Sequence, residues 1–296
     1  MLLIFTGSID GTSDLIVSGF KSNIFRLNFD LWYEYEVAFT PSFWNIKNPA
    51  GLEISSKTVT RAFFWKAFQY DLPDFDKMIS TEVRYIFREI YNWCAIRGLT
   101  RGTPYYFHNQ MGKINVLSIA MQYFRIPQTV VTIKHHGVSS LGRDEIIAKS
   151  LASEISSERT VLATTLVRVD ELHPDYPWYL QHKIDSDWDV TVFQCGQSLF
   201  SFKRSRHDLK GLDWRTEQKF DHNVQEWFPF ELIESDTSKL LALSNQLKID
   251  FGRYDFMLCS KTNELIFLEY NANGQWVFLD YHNQYGLLNQ VVKYLS

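Results

Sequence analysis

The chain has 296 residues, 45% of them hydrophobic and 22% charged, enough for a sizeable core in one large or two moderate domains; this excludes a disordered tail. A net charge of −4 at pH 7 makes no general case for nucleic acid or an anionic membrane as partner, because either needs a basic face or stripe. Three widely spaced cysteines, Cys94, Cys195 and Cys259, show neither metal nor redox spacing and read as reduced thiols, which fits the cytoplasm. The apolar start is only a few residues long and no long apolar run follows, so neither a signal peptide nor a membrane span is expected. An aromatic content of 16% fits a groove for an extended peptide, or simply a core.

Leu2 to Phe5, a polar loop from Thr6 to Ser13, the helical spacing of Leu15 to Val17 and then Ile24 to Asn28 predict a strand, helix and strand, the opening of an α/β unit. The loop contains glycine but lacks the G-x-G-x-x-G spacing of a phosphate cradle. Residues 33 to 54 alternate aromatic and polar side chains and predict antiparallel strands; Val59 to Lys66 predicts a further strand. From about Asp74 to Arg97 the residues Ile79, Val83, Ile86, Ile90 and Trp93 recur at helical spacing. Tyr105 to Phe107 predicts a strand, and a helix starts at Gly112-Lys113 and ends near Pro127. Ile146 to Leu151 is an apolar strand that contains Lys149, with a second strand at Thr160 to Val167. A lysine in such a strand either faces solvent at an edge or meets an anion. Ser198 to Phe202 predicts a strand, Ser235 to Ile249 an amphipathic helix, and Tyr285 to Leu295 a closing helix.

The densest chemistry lies between the last two helices. Phe251 to Leu258 and Glu264 to Asn271, joined by the turn Ser260-Lys261-Thr262-Asn263, predict a β-hairpin. Strand alternation points Glu269 and Asn271 the same way, and hairpin pairing can bring Asp255 alongside, a three-oxygen cluster suited to Mg²⁺. Any one of the three alone reads better as a solvent-facing polar residue of an amphipathic hairpin; the triple followed by Asn273-Gly274-Gln275-Trp276 points to a site.

This block resembles the metal-binding end of ATP-grasp ligases, and its Glu-x-Asn-x-Asn-Gly-Gln-Trp wording is similar to the maturases of microviridin-type crosslinked peptides, the graspetides. Asp213-Trp214-Arg215 is similar to the Asp-Trp-Arg of those enzymes, and Lys113, Leu117 and Pro127-Gln128-Thr129 fit a helix and the segment after it. Only Arg61 and Lys66 echo the arginine-rich strand of the family, and Asp189 stands where relatives usually carry arginine, with Arg204, Arg206 or Arg215 as candidates to compensate.

The resemblance implies an α/β (α+β) ATP-grasp fold divided into a pre-ATP-grasp domain over 1–112, a central subdomain over 113–190 and a C-terminal antiparallel-sheet subdomain with the metal site over 191–296. It implies ATP and Mg²⁺ as cofactors, with Asp255, Glu269 and Asn271 on the metal and Lys113 and Lys149 on phosphates. Gln181, His182 and Lys183 would form the hinge whose main chain reads adenine. Arg215 would stabilise the transferring group, although a surface arginine paired with an acid is the commoner fate. The implied reaction activates Asp or Glu side chains of a ribosomally made precursor peptide, leader and core, as acyl phosphates and closes esters or amides. A homodimer is compatible with this. Two other readings stay open: a ligase that adds a free amino acid to a peptide or protein end, and a nucleotide-binding regulator without catalysis, which Asp189 alone favours.

Overall fold

The computed structural model describes residues 1–69, 72, 75–133, 138–141, 145–151, 164–207, 209, 211–212 and 227–296. Strand β1 (Leu2–Thr6) is buried throughout because it runs parallel between β2 (Ile24–Asn28) and, on its other side, the strand at Arg61–Phe64. A strand covered on both faces has no polar side to alternate, hence the unbroken apolar run. The helix α1 (Gly11–Ser18) that links β1 to β2 starts at Asp10, whose carboxylate accepts from the Ser13 main-chain N–H at 2.7 Å and so fills one of the open donors of the first turn.

Residues 36 to 55 form the expected antiparallel strands β3 (Glu36–Thr40), β4 (Phe43–Lys47) and β5 (Glu53–Ser55), with Trp44, Ile46 and Ile54 fully buried. The strand predicted from Val59 is β6 (Arg61–Phe64). Helix α2 (Lys77–Ile96) is present, but the face it buries differs from the expected one. Val83 and Ile90 are inside, while Ile79 and Ile86 are 46% and 43% exposed. Phe87 and Tyr91 decide the rotation: Phe87 packs on Phe5 and Phe29, and Tyr91 meets Phe64 edge-on at 4.7 Å. Large rings fill more core than isoleucines, so the helix turns them inward.

The chain returns to the first sheet as β7 (Thr100–Arg101), giving the order β2-β1-β6-β7. The strand expected at Tyr105 to Phe107 is a turn leading into the short helix α3 (Phe107–Met111). Pro104 starts that turn, its carbonyl accepting from the Phe107 N–H at 2.9 Å, and Tyr105 and Tyr106 pack against Tyr91 instead of pairing in a sheet. Helix α4 (Lys113–Ala120) follows where expected and ends several residues earlier.

A second sheet holds β8 (Thr129–Thr132), β9 (Ile146–Lys149), β10 (Thr165–Val167) and β11 (Trp178–His182) in the antiparallel order β10-β9-β11-β8. The third sheet is built from β12 (Ser186–Cys195), β13 (Ser198–Ser205), β14 (Phe228–Pro229), β15 (Phe251–Cys259) and β16 (Leu265–Asn271), in the order β14-β13-β12-β15-β16. Helices α5 (Glu234–Leu247) and α4 cover one face of it through Val116, Leu117, Leu240 and Leu243. Helix α6 (Leu287–Leu295) and the first sheet meet its other part, where Phe193, Phe251 and Trp276 join Leu2, Ile4, Phe63 and Trp65 in one apolar cluster. The hairpin of β15 and β16 therefore lies between two cores, which fixes its position and leaves its polar residues at the open end.

Candidate nucleotide and metal site

The hairpin pairs as its alternation predicts. Asp255 lies opposite Glu269, and Arg253 opposite Asn271, with an irregularity just after Asp255 that absorbs one extra residue on β16. The three expected oxygen ligands converge: Asn271 Nδ2 donates to Asp255 Oδ2 at 2.8 Å and to Glu269 Oε1 at 3.2 Å. Two like charges this close need a positive partner, and the amide nitrogen between them supplies part of it. Among the described residues no group of three His, Cys, Asp or Glu side chains converges, so the set is two carboxylates and one amide. That donor set suits a hard cation such as Mg²⁺, toward which the amide would present its oxygen.

Asp255 is held from two further sides. Thr191 Oγ1, across the strand pair on β12, donates to Oδ1 at 2.9 Å, and Arg253 Nη2 donates to Oδ2 at 3.1 Å. The other end of that guanidinium, Nη1, donates to the Gln275 carbonyl at 2.8 Å, so Arg253 ties the loop after Asn271 to the carboxylate. Gly274 makes this loop possible: a Cβ on it would lie 2.9 Å from the Asn271 Cβ and 3.1 Å from the Arg253 Cβ. The Asn-Gly-Gln-Trp wording is thereby explained. Its glycine lets the backbone approach two site residues, and its Trp276 is buried, stacked on Phe193 at 5.2 Å. Behind the site, His108 on α3 accepts from the Ala272 N–H at 3.2 Å through Nε2. Burial first, then Lys113, lowers the His108 pKa against a smaller opposing effect of Glu269, which keeps the ring neutral with its proton on Nδ1.

A cleft of about 890 Å³, counting its open mouth, runs between the second and third sheets. Lys149 on β9, Gln181 on β11 and Asp255 with Glu269 line it together. The mix of an apolar wall with convergent charges is what small-molecule sites present. Lys113 reaches from α4 to the Ser150 carbonyl at 3.0 Å, beside Lys149. Gln181 is buried; its Nε2 donates to Thr129 Oγ1 at 3.0 Å and its Oε1 has no hydrogen-bond partner among the described residues. The His182 ring bonds to the Leu141 carbonyl, and the Lys183 ammonium pairs with Glu145. Their main-chain N–H groups donate to the carbonyls of Gln128 and Glu145 at 3.0 and 2.9 Å. Arg215, with Asp213 and Trp214, lies outside the described residues.

Asp189 lies on the same face as Thr191, opposite Arg204 on β13, and pairs with Arg206 at 2.6 Å. Two of the arginines named as compensation thus flank the substituted position. Sequence reasoning gave no role to Arg253, Thr191 or His108. Arg253 carried a signal, since it precedes Asp255 by two residues on one strand and must share its face. Thr191 and His108 come from other elements and carried none.

No family model matches the sequence, and no curated protein is significantly similar to it. Among solved structures, the fold is similar to a Chryseobacterium gregarium RiPP-associated ATP-grasp ligase in complex with ADP and a leader and core peptide, at 19% identity and TM-score 0.79, over 99% of this chain and 96% of that one. It is also similar to the macrocyclase MdnC from Microcystis aeruginosa bound with the precursor peptide MdnA, at 21% identity and TM-score 0.81, over 99% and 98% of the two chains. A third similar structure is the ATP-grasp ligase PsnB complexed with minimal precursor, Mg and ADP, at 11% identity and TM-score 0.73, over 100% and 97%. The likeness extends over nearly the full length of both partners in each comparison, and the chain has the fold of the ATP-grasp ligases.

Proposed function

We propose that the protein is an ATP-dependent ligase that activates Asp or Glu side chains of a ribosomally made precursor peptide as acyl phosphates and joins them to amines or hydroxyls of the same peptide. The observation that carries this reading is that Asp255 and Glu269, joined by Asn271, share one cleft between two sheets with Lys149. The similar structures that hold ADP, Mg and precursor peptides give the same direction. Asp255, Glu269 and Asn271 would hold Mg²⁺, which supplies charge neutralisation for the phosphates when bound. Lys149, and Lys113 beside it, would bind the phosphates from the second sheet. Arg253 keeps Asp255 oriented, and the buried Gln181, with His182 and Lys183 after it, would lie along the base, the N–H groups of His182 and Lys183 being already donated to Gln128 and Glu145. Arg215 would stabilise the transferring group. No side chain serves as a covalent nucleophile, because phosphoryl transfer asks for positioning and charge stabilisation. The activated carboxyl must be shielded from water and meet its acceptor quickly, which an acceptor tethered on the same peptide ensures.

The division into 1–112, 113–190 and 191–296, and a place in the cytoplasm, are part of the same proposal; no helix among the described residues is long and apolar enough to cross a membrane. The regulator reading loses its motive, since the loss of an arginine at 189 is accompanied by two guanidinium groups beside it. The test mixes the protein with ATP, Mg²⁺ and the peptide encoded beside its gene. Mass spectrometry is expected to show loss of one water per crosslink with release of ADP and phosphate and no need for free amino acid. A product heavier by an amino-acid residue would favour the amino-acid-adding ligase, and nucleotide binding with no change in any neighbouring peptide would favour the regulator.

A further inference from the structure

Asp189 precedes Thr191 by two residues on β12, so its side chain lies on the cleft face roughly 7 Å along the strand from the Thr191 and Asp255 pair. It is only 8% exposed. Its two oxygens are treated differently. Oδ1 accepts from Arg206 Nη1 at 2.6 Å, and that guanidinium is steadied by donating from Nη2 to the Leu212 carbonyl at 3.1 Å. Oδ2 is buried and has no hydrogen-bond partner among the described residues. A carboxylate oxygen withdrawn from water and left without a donor is disfavoured, and in a cleft it asks for a donor from a bound molecule.

The neighbouring acids are committed elsewhere. Asp255 accepts from Thr191, Arg253 and Asn271, Glu269 accepts from Asn271, and Glu145 pairs with Lys183. The ligase chemistry proposed above, on which this inference rests, requires the acceptor group to lose a proton when it attacks. Among the described acids of the cleft, Asp189 is the one with an oxygen that is buried and without a hydrogen-bond partner.

We propose that Asp189 Oδ2 receives the N–H or O–H of the peptide's acceptor group and takes its proton as that group attacks the acyl phosphate. The bond from the acceptor nitrogen or oxygen to the acyl carbon forms, the bond from that carbon to the phosphate oxygen breaks, and the electron pair leaves with phosphate. A hydroxyl gives its single proton to Oδ2. An amine arrives as ammonium, gives one proton to Oδ2 before attack, and passes the second from nitrogen to the departing phosphate. The environment suits this role: burial raises the carboxyl above its ordinary range, against the pull of Arg206 and Arg204 and with a small addition from Asp255. Arg206 holds Oδ1, so the free oxygen keeps one direction.

The test is Asp189→Asn, which keeps the shape and the oxygen that Arg206 holds and replaces Oδ2 by an amide that cannot take a proton. The full chain is given ATP, Mg²⁺ and the peptide encoded beside its gene, with and without hydroxylamine, which intercepts the acyl phosphate as a hydroxamate without needing the base. Asp189→Asn is expected to bind a non-hydrolysable ATP analogue and form hydroxamate like the unchanged protein, which also checks that it folds, while crosslinking slows by about 10²- to 10⁴-fold. Asp189→Glu is expected to recover part of the rate. Crosslinks that reopen in mild alkali identify a hydroxyl as the donor, and crosslinks that survive identify an amine. Crosslinking by Asp189→Asn at the unchanged rate, or equal loss of hydroxamate and crosslink, would overturn the assignment. If the unchanged protein yields neither product, the ligase reading itself falls, and this inference with it.

Discussion

Gly274→Ala tests whether close backbone approach, rather than any polar contact, holds the site together. The added methyl would stand 2.9 Å from the Asn271 Cβ, 3.1 Å from the Arg253 Cβ and 3.2 Å from the Asn271 carbonyl oxygen. The first two atoms root side chains on paired positions of adjacent strands, so neither can swing away by changing a rotamer. Either the loop lifts or the strands part by several tenths of an ångström. Forcing a methyl into such a place costs about 1–3 kcal/mol, and for a chain of this size each kcal/mol lowers Tm by about 1.5–2 °C. Because the atoms displaced belong to a proposed metal ligand and to the arginine that orients another, the Mg²⁺ concentration needed for half-maximal ATP turnover should rise as well. Mg²⁺ tolerates little departure from its preferred geometry. Gly11→Ala is the control: a Cβ there meets nothing within 4 Å, at the start of α1, and the change is expected to leave Tm equal or slightly higher. Thermal unfolding followed by circular dichroism and a Mg²⁺ titration of turnover read the two effects. A Gly274→Ala protein with the Tm and Mg²⁺ requirement of the Gly11→Ala control would refute the reasoning.

Glu269→Ala and Asn271→Ala are each expected to abolish ATP-dependent turnover with the circular dichroism spectrum intact, since both remove ligands from a partly exposed site and open no core cavity; ordinary turnover in either would remove that residue from the metal set. Lys149→Met keeps the aliphatic stem and deletes the charge, so affinity for a non-hydrolysable ATP analogue should fall by about 1.5–3 kcal/mol, roughly 10- to 150-fold in Kd, measured by titration calorimetry. The pH dependence of stability should carry a component from His108, whose pKa is lowered by burial from 6.5. A proton then favours the unfolded chain, so this contribution is complete above pH 6.5 and is lost as pH falls below it through the folded value. Urea unfolding of the protein and of His108→Gln at a series of pH values should show the component in the first and not in the second.

Local pattern was sufficient for much of this molecule. The alternation of β15 and β16 put Glu269 and Asn271 on one face, the turn set their pairing with Asp255, and the structure brings the three together because strand geometry leaves those side chains no other place to go. The opening parallel unit, the two long helices and the antiparallel strands from 36 to 55 were legible for the same reason, since periodicity and turn chemistry act over a few residues. Tertiary packing decided the rest. Phe87 and Tyr91 rotated α2 away from the isoleucine stripe because the aromatic core of the first sheet had room for rings. Pro104 and the tyrosines beside it turned an apparent strand into a turn and helix. Thr191 reaches Asp255 from 64 residues away, and His108 reaches Ala272 across 164. Of the two arginines beside Asp189, Arg204 lies on β13 and Arg206 just past its end, so both are placed by a register that follows from the sheet as a whole. Contacts that distant in sequence leave no mark on local periodicity, so only the assembled sheets could show that Asp189 is clamped on one oxygen and open on the other.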